Sequence, residues 1–189
     1  MNILIINGYQ SHPFCKGELN FSLLNIMLNK LRKQHQVQLS SVEDYNVMDE
    51  RNKFFWADLI IFQFPIYWFN VPGKLKLYMD QVFEYGQFYT FADEYGSGGL
   101  LKDKSYILST TWNAPEEVFN HPDKFFEGKS VDDLFIPFHK TMEFCGLNHQ
   151  GTLSFHNVVK APNFEGYRQK LEHFLNNKCG LEETDASNF

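Results

Sequence analysis

Three short segments carry residue types suited to a flat ligand that bears phosphate. The first, Gly8-Tyr9-Gln10-Ser11-His12-Pro13-Phe14-Cys15-Lys16-Gly17, joins an apolar run to a helical pattern that opens at Glu18-Leu19-Asn20. Loops in such a position usually hold about two to six residues, so this length points to a ligand or a lid. It ends at a helix start, where free amide hydrogens and the helix dipole favour a phosphate. In the second, Phe64-Pro65-Ile66-Tyr67-Trp68-Phe69-Asn70-Val71-Pro72-Gly73, two prolines stiffen the backbone. Tyr67 and Trp68 offer stacking faces with hydrogen-bonding tips, and would serve equally as core or as a subunit contact. The third, Thr110-Thr111-Trp112-Asn113-Ala114-Pro115, supplies backbone amides and the Asn113 carboxamide for the polar edge of a heterocycle, or else forms an ordinary polar turn. An anion cradle, an aromatic wall and an amide edge together fit a flavin.

Other chemistries find little support. Gly8 and Gly17 lie too far apart for G-x-G-x-x-G, and no P-loop is present. No Ser-His-Asp order, carboxylate pair or Cys-His-Asn set stands out, so a bound cofactor rather than side chains is expected to do the chemistry. Cys15, a lone thiol without a located His partner, reads as a small packing residue rather than a nucleophile. The cysteines, Cys15, Cys145 and Cys179, are odd in number and lack C-x-x-C spacing, which fits a reducing compartment. The histidines are scattered, with no H-x-x-x-H or H-E-x-x-H helix, so no metal site is expected. A net charge of −6, mixed along the chain, argues against nucleic acid. Met1-Asn2 leads straight into Ile3-Leu4-Ile5-Ile6 without a cationic region, and no apolar stretch approaches a membrane span. The expected location is the cytoplasm.

The elements that must position these segments follow from periodicity. Ile3 to Asn7 is an apolar run of the kind buried on both sheet faces, and Leu19, Leu23, Met27, Leu28 and Leu31 then mark a helix from Glu18 to Lys33. Val37 to Val42 alternates like an edge strand, Leu59 to Phe62 is a buried strand, and a helix over Lys74 to Phe83 begins near Pro72. A fourth strand, Tyr106 to Leu108, follows the turn Gly96-Ser97-Gly98-Gly99. A helix over Phe138 to Cys145 stops at Gly146, and a strand over Thr152 to Phe155 precedes a closing helix over Tyr167 to Leu175. Strands alternating with helices predict an α/β fold with five parallel strands in the flavodoxin-like order 2-1-3-4-5 and helices on both faces. A single domain over residues 1–180 is expected, with a flexible tail over 181–189. Aromatic residues make up 17% of the chain, so much flat apolar surface must go to core, pocket or subunit interface.

Several pieces of the chain resemble the modulator of drug activity B family of flavodoxin-like NAD(P)H:quinone oxidoreductases. They are Ile3-Leu4-Ile5-Ile6-Asn7-Gly8, Gly17-Glu18-Leu19-Asn20, Trp56-Ala57-Asp58, Tyr95-Gly96-Ser97-Gly98-Gly99-Leu100, Thr111-Trp112-Asn113-Ala114-Pro115 and Pro137-Phe138-His139-Lys140. The resemblance implies a cytoplasmic homodimer with FAD in sites shared between subunits, NADPH or NADH as co-substrate and a quinone as acceptor. It implies FAD contacts from Cys15, Lys16, Gly17, Glu18, Leu19, Asn20, Phe21 and Ser22, from Ile66, Tyr67, Trp68 and Phe69, from Tyr95, and from Thr111, Trp112, Asn113 and Ala114. Tyr95 enters through the resemblance alone. Cys15 stands where family members often have Ser, and Gln87 to Glu94 is shorter than in enterobacterial relatives. Alternatives are an FMN-dependent azo- or nitroreductase, a flavodoxin-type electron carrier, or a regulatory subunit of a transporter.

Overall fold

The computed structural model describes residues 1–181. The expected tail lies, from residue 182 onward, outside the described residues. In chain order the elements are β1 (Asn2–Asn7), α1 (Glu18–Leu31), β2 (Gln36–Ser41), α2 (Val47–Trp56), β3 (Leu59–Pro65) and α3 (Gly73–Val82). After them come β4 (Ser105–Thr111), a single 3-10 turn (Glu116–Val118), α4 (Val131–Leu134), α5 (Ile136–Phe144), β5 (Asn148–Phe155) and α6 (Phe164–Cys179). All strand pairs are parallel, in the order β2-β1-β3-β4-β5 that the alternating pattern predicts.

Alternation along the strands builds two cores. Ile3 and Ile5 of β1 face α1 and α6, where Leu23, Met27, Leu31, Leu171 and Leu175 are buried. Leu4 and Ile6 face the opposite way, toward Leu75, Tyr78 and Met79 of α3 and Phe138 and Met142 of α5. β3 is buried along its whole length, as the central strand of a sheet covered on both sides must be. β2, at the edge, does not alternate as its sequence suggests: Leu39 is exposed, Ser40 alone is buried, and the rest are exposed or half-buried.

Several strands and helices extend beyond their expected bounds, most of all β4, β5 and α6. Polar residues at their ends hide the continuation, because the ladder and the capped last turn tolerate them. One helix, α2, carries no apolar stripe in the sequence. Its buried positions are Phe54 and a glutamate, Glu50, whose carboxylate accepts from Tyr78 Oη at 2.6 Å and lies 2.6 Å from Lys53 Nζ. The legible signal is instead its start, where Asn46 Oδ1 accepts from the amides of Met48 and Asp49 at 2.9 and 3.2 Å. Parallel strands of one sheet also need a crossover connection, here between β2 and β3 on either side of β1.

The Gly96 to Gly99 turn works by close approach. A Cβ on Gly99 would come within 2.6 Å of the Cys145 carbonyl carbon and collide with the backbone of Gly146. Backbone cannot yield as a flexible side chain can. Gly99→Ala is expected to lower stability by about 1–3 kcal/mol, read as a lower urea midpoint with an unchanged slope. A wild-type midpoint would show that this contact is looser than the structure has it.

Candidate active site

The loops after β1, β3 and β4 leave the sheet at its carboxyl edge, beside the β1/β3 position where strand order reverses. Such a crevice is where open parallel sheets bind ligands. The first loop is tied down by its own residues. Tyr9 is buried, donates from its hydroxyl to the Cys15 carbonyl at 2.7 Å, and packs edge-on against Phe21. Gly17 has φ +75°, and a Cβ there would sit 2.7 Å from the Tyr9 ring, so only glycine fits. Gly17 offers no side-chain cap to α1, and the first-turn amides are left for an external acceptor. Lys16 and Glu18 are exposed at this opening, Leu19 is half-buried, and Ser22 turns back to donate to the Glu18 carbonyl at 2.9 Å.

The Asn20 side chain has a structural task of its own. It is 2% exposed, donates from Nδ2 to Asn7 Oδ1 at 2.9 Å and accepts from Gln63 Nε2 at 3.0 Å. The Tyr9 amide also donates to Asn7 Oδ1, at 3.1 Å. This chain of buried amides bolts α1 to β1 and β3 under the floor of the crevice.

The aromatic loop is a strained tight turn. Tyr67 and Asn70 exchange backbone hydrogen bonds at 3.1 Å in both directions, with Trp68 at φ 49° and Phe69 at φ 63° between them. Two central residues with positive φ make the turn type that ordinarily asks for Asn-Gly. Trp68 at its tip is 92% exposed, and Phe69 is half exposed. Bulky residues held in left-handed backbone cluster at functional sites, where the strain is tolerated for what the side chains do. Tyr67 Oη donates to the Gln10 carbonyl at 2.8 Å, and Gln10 Oε1 accepts from the Lys74 amide at 2.8 Å. Burial, followed by the adjacent Cys15 thiol, pushes the Tyr67 phenol well above its usual range, so it stays protonated. Glu43 completes the stitching by pairing with Lys74 and accepting from the Ser11 amide at 2.7 Å.

The third loop divides its roles. Ile66 extends the ladder by donating to the Thr111 carbonyl at 3.0 Å. Trp112 is 1% exposed and its ring packs among Phe119, Phe126, Phe135 and His156, with Nε1 donating to Thr110 Oγ1 at 2.9 Å. Its indole is therefore core, and its own amide is used by Phe155. The amides of Asn113 and Ala114 have no acceptor among the described residues.

Cys15 through Asn20, Pro65 and Thr111 line one cleft of about 400 Å³. Pro13, Phe14, Val158 and Val159 also line it. Val158 and Val159 escaped the sequence reading, although the rule that picks loops at strand carboxyl ends applies to β5 as well. Gln10 and Glu43 had no sequence signal, because their role is to hold two loops together. Tyr95 is not brought to this cleft. It is 94% exposed, packs against Phe144 with ring centroids 5.8 Å apart, and borders a separate cavity of about 430 Å³ with Pro137 and Lys140. The uncapped helix start, the glycine forced by close approach and the free Asn113 and Ala114 amides fit a ligand with phosphate at one end and a hydrogen-bonding ring at the other.

Sheet order and crevice together define a flavodoxin-like α/β protein with its ligand edge at the β1/β3 switch point. The family profile described as "Flavodoxin-like fold" matches residues 1–176. NADPH:quinone oxidoreductase MdaB of Haemophilus influenzae is 38% identical over 192 aligned residues, covering 95% of this chain and 100% of that protein. An uncharacterized protein of Schizosaccharomyces pombe is also 38% identical, over 177 residues, with 87% of this chain and 90% of that one covered. The structure of general stress protein 14 of Treponema denticola in complex with FMN superposes with a TM-score of 0.71 at 21% identity, covering 96% and 99% of the two chains, a likeness of fold. The chain belongs to the modulator of drug activity B family of flavodoxin-like proteins.

Two outcomes are expected from this geometry. Replacing the strained pair by the residues its backbone prefers, Trp68→Asn with Phe69→Gly, should stabilise the fold by about 1–2 kcal/mol in urea unfolding. Equal or lower stability would mean that the turn is not strained. Glu43 is held below the ordinary carboxylate value, first by the Lys74 hydrogen bond and then by the Ser11 amide. A depressed folded-state pKa contributes stability above the unfolded value of about 4.5 that is lost as pH falls through the folded one. The stability gap between wild type and Glu43→Gln should thus be present at pH 7 and close on acidification, and a gap independent of pH would contradict the clamp.

Proposed function

We propose that this protein is an NAD(P)H:quinone oxidoreductase that binds FAD and works by a ping-pong scheme. In this reading it is a cytoplasmic homodimer built from a single flavodoxin-like domain over residues 1–180. The observation that carries it is the pairing of the uncapped α1 start with the acceptor-free amides of Asn113 and Ala114 on one sheet edge. The two full-length relatives match nearly the whole chain, and the one from Haemophilus influenzae is called an NADPH:quinone oxidoreductase, which supports the assignment. Among the described residues no helix is long and apolar enough to cross a membrane.

When bound, the flavin would supply two-electron hydride chemistry between NAD(P)H and a quinone. The residues of this chain bind and orient. Amides at Glu18, Leu19 and Asn20, with Lys16 nearby, hold the phosphates through the helix dipole and charge. The Asn113 and Ala114 amides would donate to the polar edge of the ring and, already in place, would need no reorganisation to stabilise negative charge there. Ile66 and Tyr67 form the wall, while Trp68 and Phe69 stand at its rim to stack on an aromatic substrate. Tyr95, remote from its own cleft, would complete the cleft of the other subunit.

The FMN-bound Treponema structure supports a second reading with FMN in the same place. Heat release of the cofactor followed by chromatography separates the two, and FAD is expected. With purified protein, NADPH and menadione, double-reciprocal plots should give parallel lines. Intersecting lines would contradict a shared site, and absent turnover would remove the assignment.

A further inference from the structure

Far from the proposed cofactor edge, the fold gathers a group that the spacing of histidines does not suggest. Asp132 of α4, His139 of α5 and His149 of β5 each offer one ligand atom, and these atoms lie within 4.8 Å of one another. We infer that Asp132, His139 and His149 form a site for a first-row divalent transition-metal ion, zinc above all, that clasps the α4–α5 segment to the start of β5.

Four observations carry the inference. His139 Nε2 lies 3.3 Å from Asp132 Oδ1. That is about the edge of a tetrahedron built on metal–ligand distances near 2.0–2.1 Å. The same Nε2 is shielded from solvent and, apart from this ionic contact with Asp132, has no hydrogen-bond partner among the described residues. On the far side of the ring, His139 Nδ1 lies 2.6 Å from Tyr106 Oη. A bond on that side fixes the orientation and tautomer of a metal-bound imidazole. Finally, the β4–β5 ladder pairs Tyr106 with His149 but Ile107 with Gly151, so Gln150 is an extra residue in β5. A bulge of this kind re-aims a side chain. Here it stacks His149 on the Tyr106 ring at 5.0 Å and brings it to His139 at 4.5 Å.

The donor set suits the same occupant. Two imidazoles and a carboxylate favour zinc, nickel or copper over magnesium or calcium. Thr152 Oγ1, 3.0 Å from His149 Nε2, supplies an outer partner. Tyr106 is five residues before Thr111 on β4, which places this site about 17 Å from the cofactor edge.

The test uses the full chain with its native cofactor, stripped of metal by EDTA and dialysed. Calorimetric titration with zinc sulfate should give one ion per chain, with a thermal midpoint that rises with zinc concentration. Asp132→Asn and His149→Gln alter half-exposed or exposed side chains, so both should match wild type in circular dichroism and in melting with EDTA. Each should weaken zinc binding at least about tenfold and abolish the midpoint rise. Wild type that takes up no zinc overturns the proposal, as does binding that persists unchanged in both variants. An anomalous zinc peak in crystals bonded to these three side chains supports it without recourse to variants, and a peak elsewhere overturns it.

Discussion

The hydrogen-bond chain from Gln63 through Asn20 to Asn7 holds α1 over the switch point, and the rest of the crevice depends on it. Each neutral bond contributes only about 1 kcal/mol net, but breaking one would leave a buried amide unsatisfied at about 1–3 kcal/mol. The geometry of two strands, β1 and β3, is therefore locked to the start of one helix. Because Asn20 is drawn inward, the amides of the first turn are fixed at the crevice mouth. Tyr9 then fills the space beneath Gly17, and the first loop has one way to run.

Around that anchor the structure accepts local cost for exposed chemistry. A left-handed Trp68-Phe69 pair is unfavourable by about 1–2 kcal/mol per residue relative to ordinary backbone. It persists because both ends of the turn are over-determined, by the Tyr67–Asn70 bonds, by Tyr67 to Gln10 and by Glu43 with Lys74. The result is a large aromatic surface at the rim, beside a third loop whose Asn113 and Ala114 amides are unused. Rigid donors facing a rigid wall are what a ring cofactor needs from its protein.

Much of this was legible in the residues. Five strands alternating with helices point to the order 2-1-3-4-5, which the structure has, and that order directs attention to the loops around its switch point. What stayed hidden has particular causes. The helix α2 buries Glu50 against Tyr78, so no apolar stripe marks it. Trp112 sits in the segment that follows β4 yet points into the core, since a loop's address does not set the direction of one side chain. Glu43 meets Lys74 across 31 positions, and His139 meets His149 only because β5 bulges. Long-range pairing of polar residues leaves no periodic trace.

The central claim is that free amides at the carboxyl edge, on α1 and after β4, receive the cofactor. Hydrogen exchange of the apoprotein with and without FAD reads those amides directly. The account predicts that FAD slows exchange at Glu18 to Asn20 and at Asn113 and Ala114, while the first residues of β4 and β5 exchange as before. Binding of FAD without protection at either segment would contradict it.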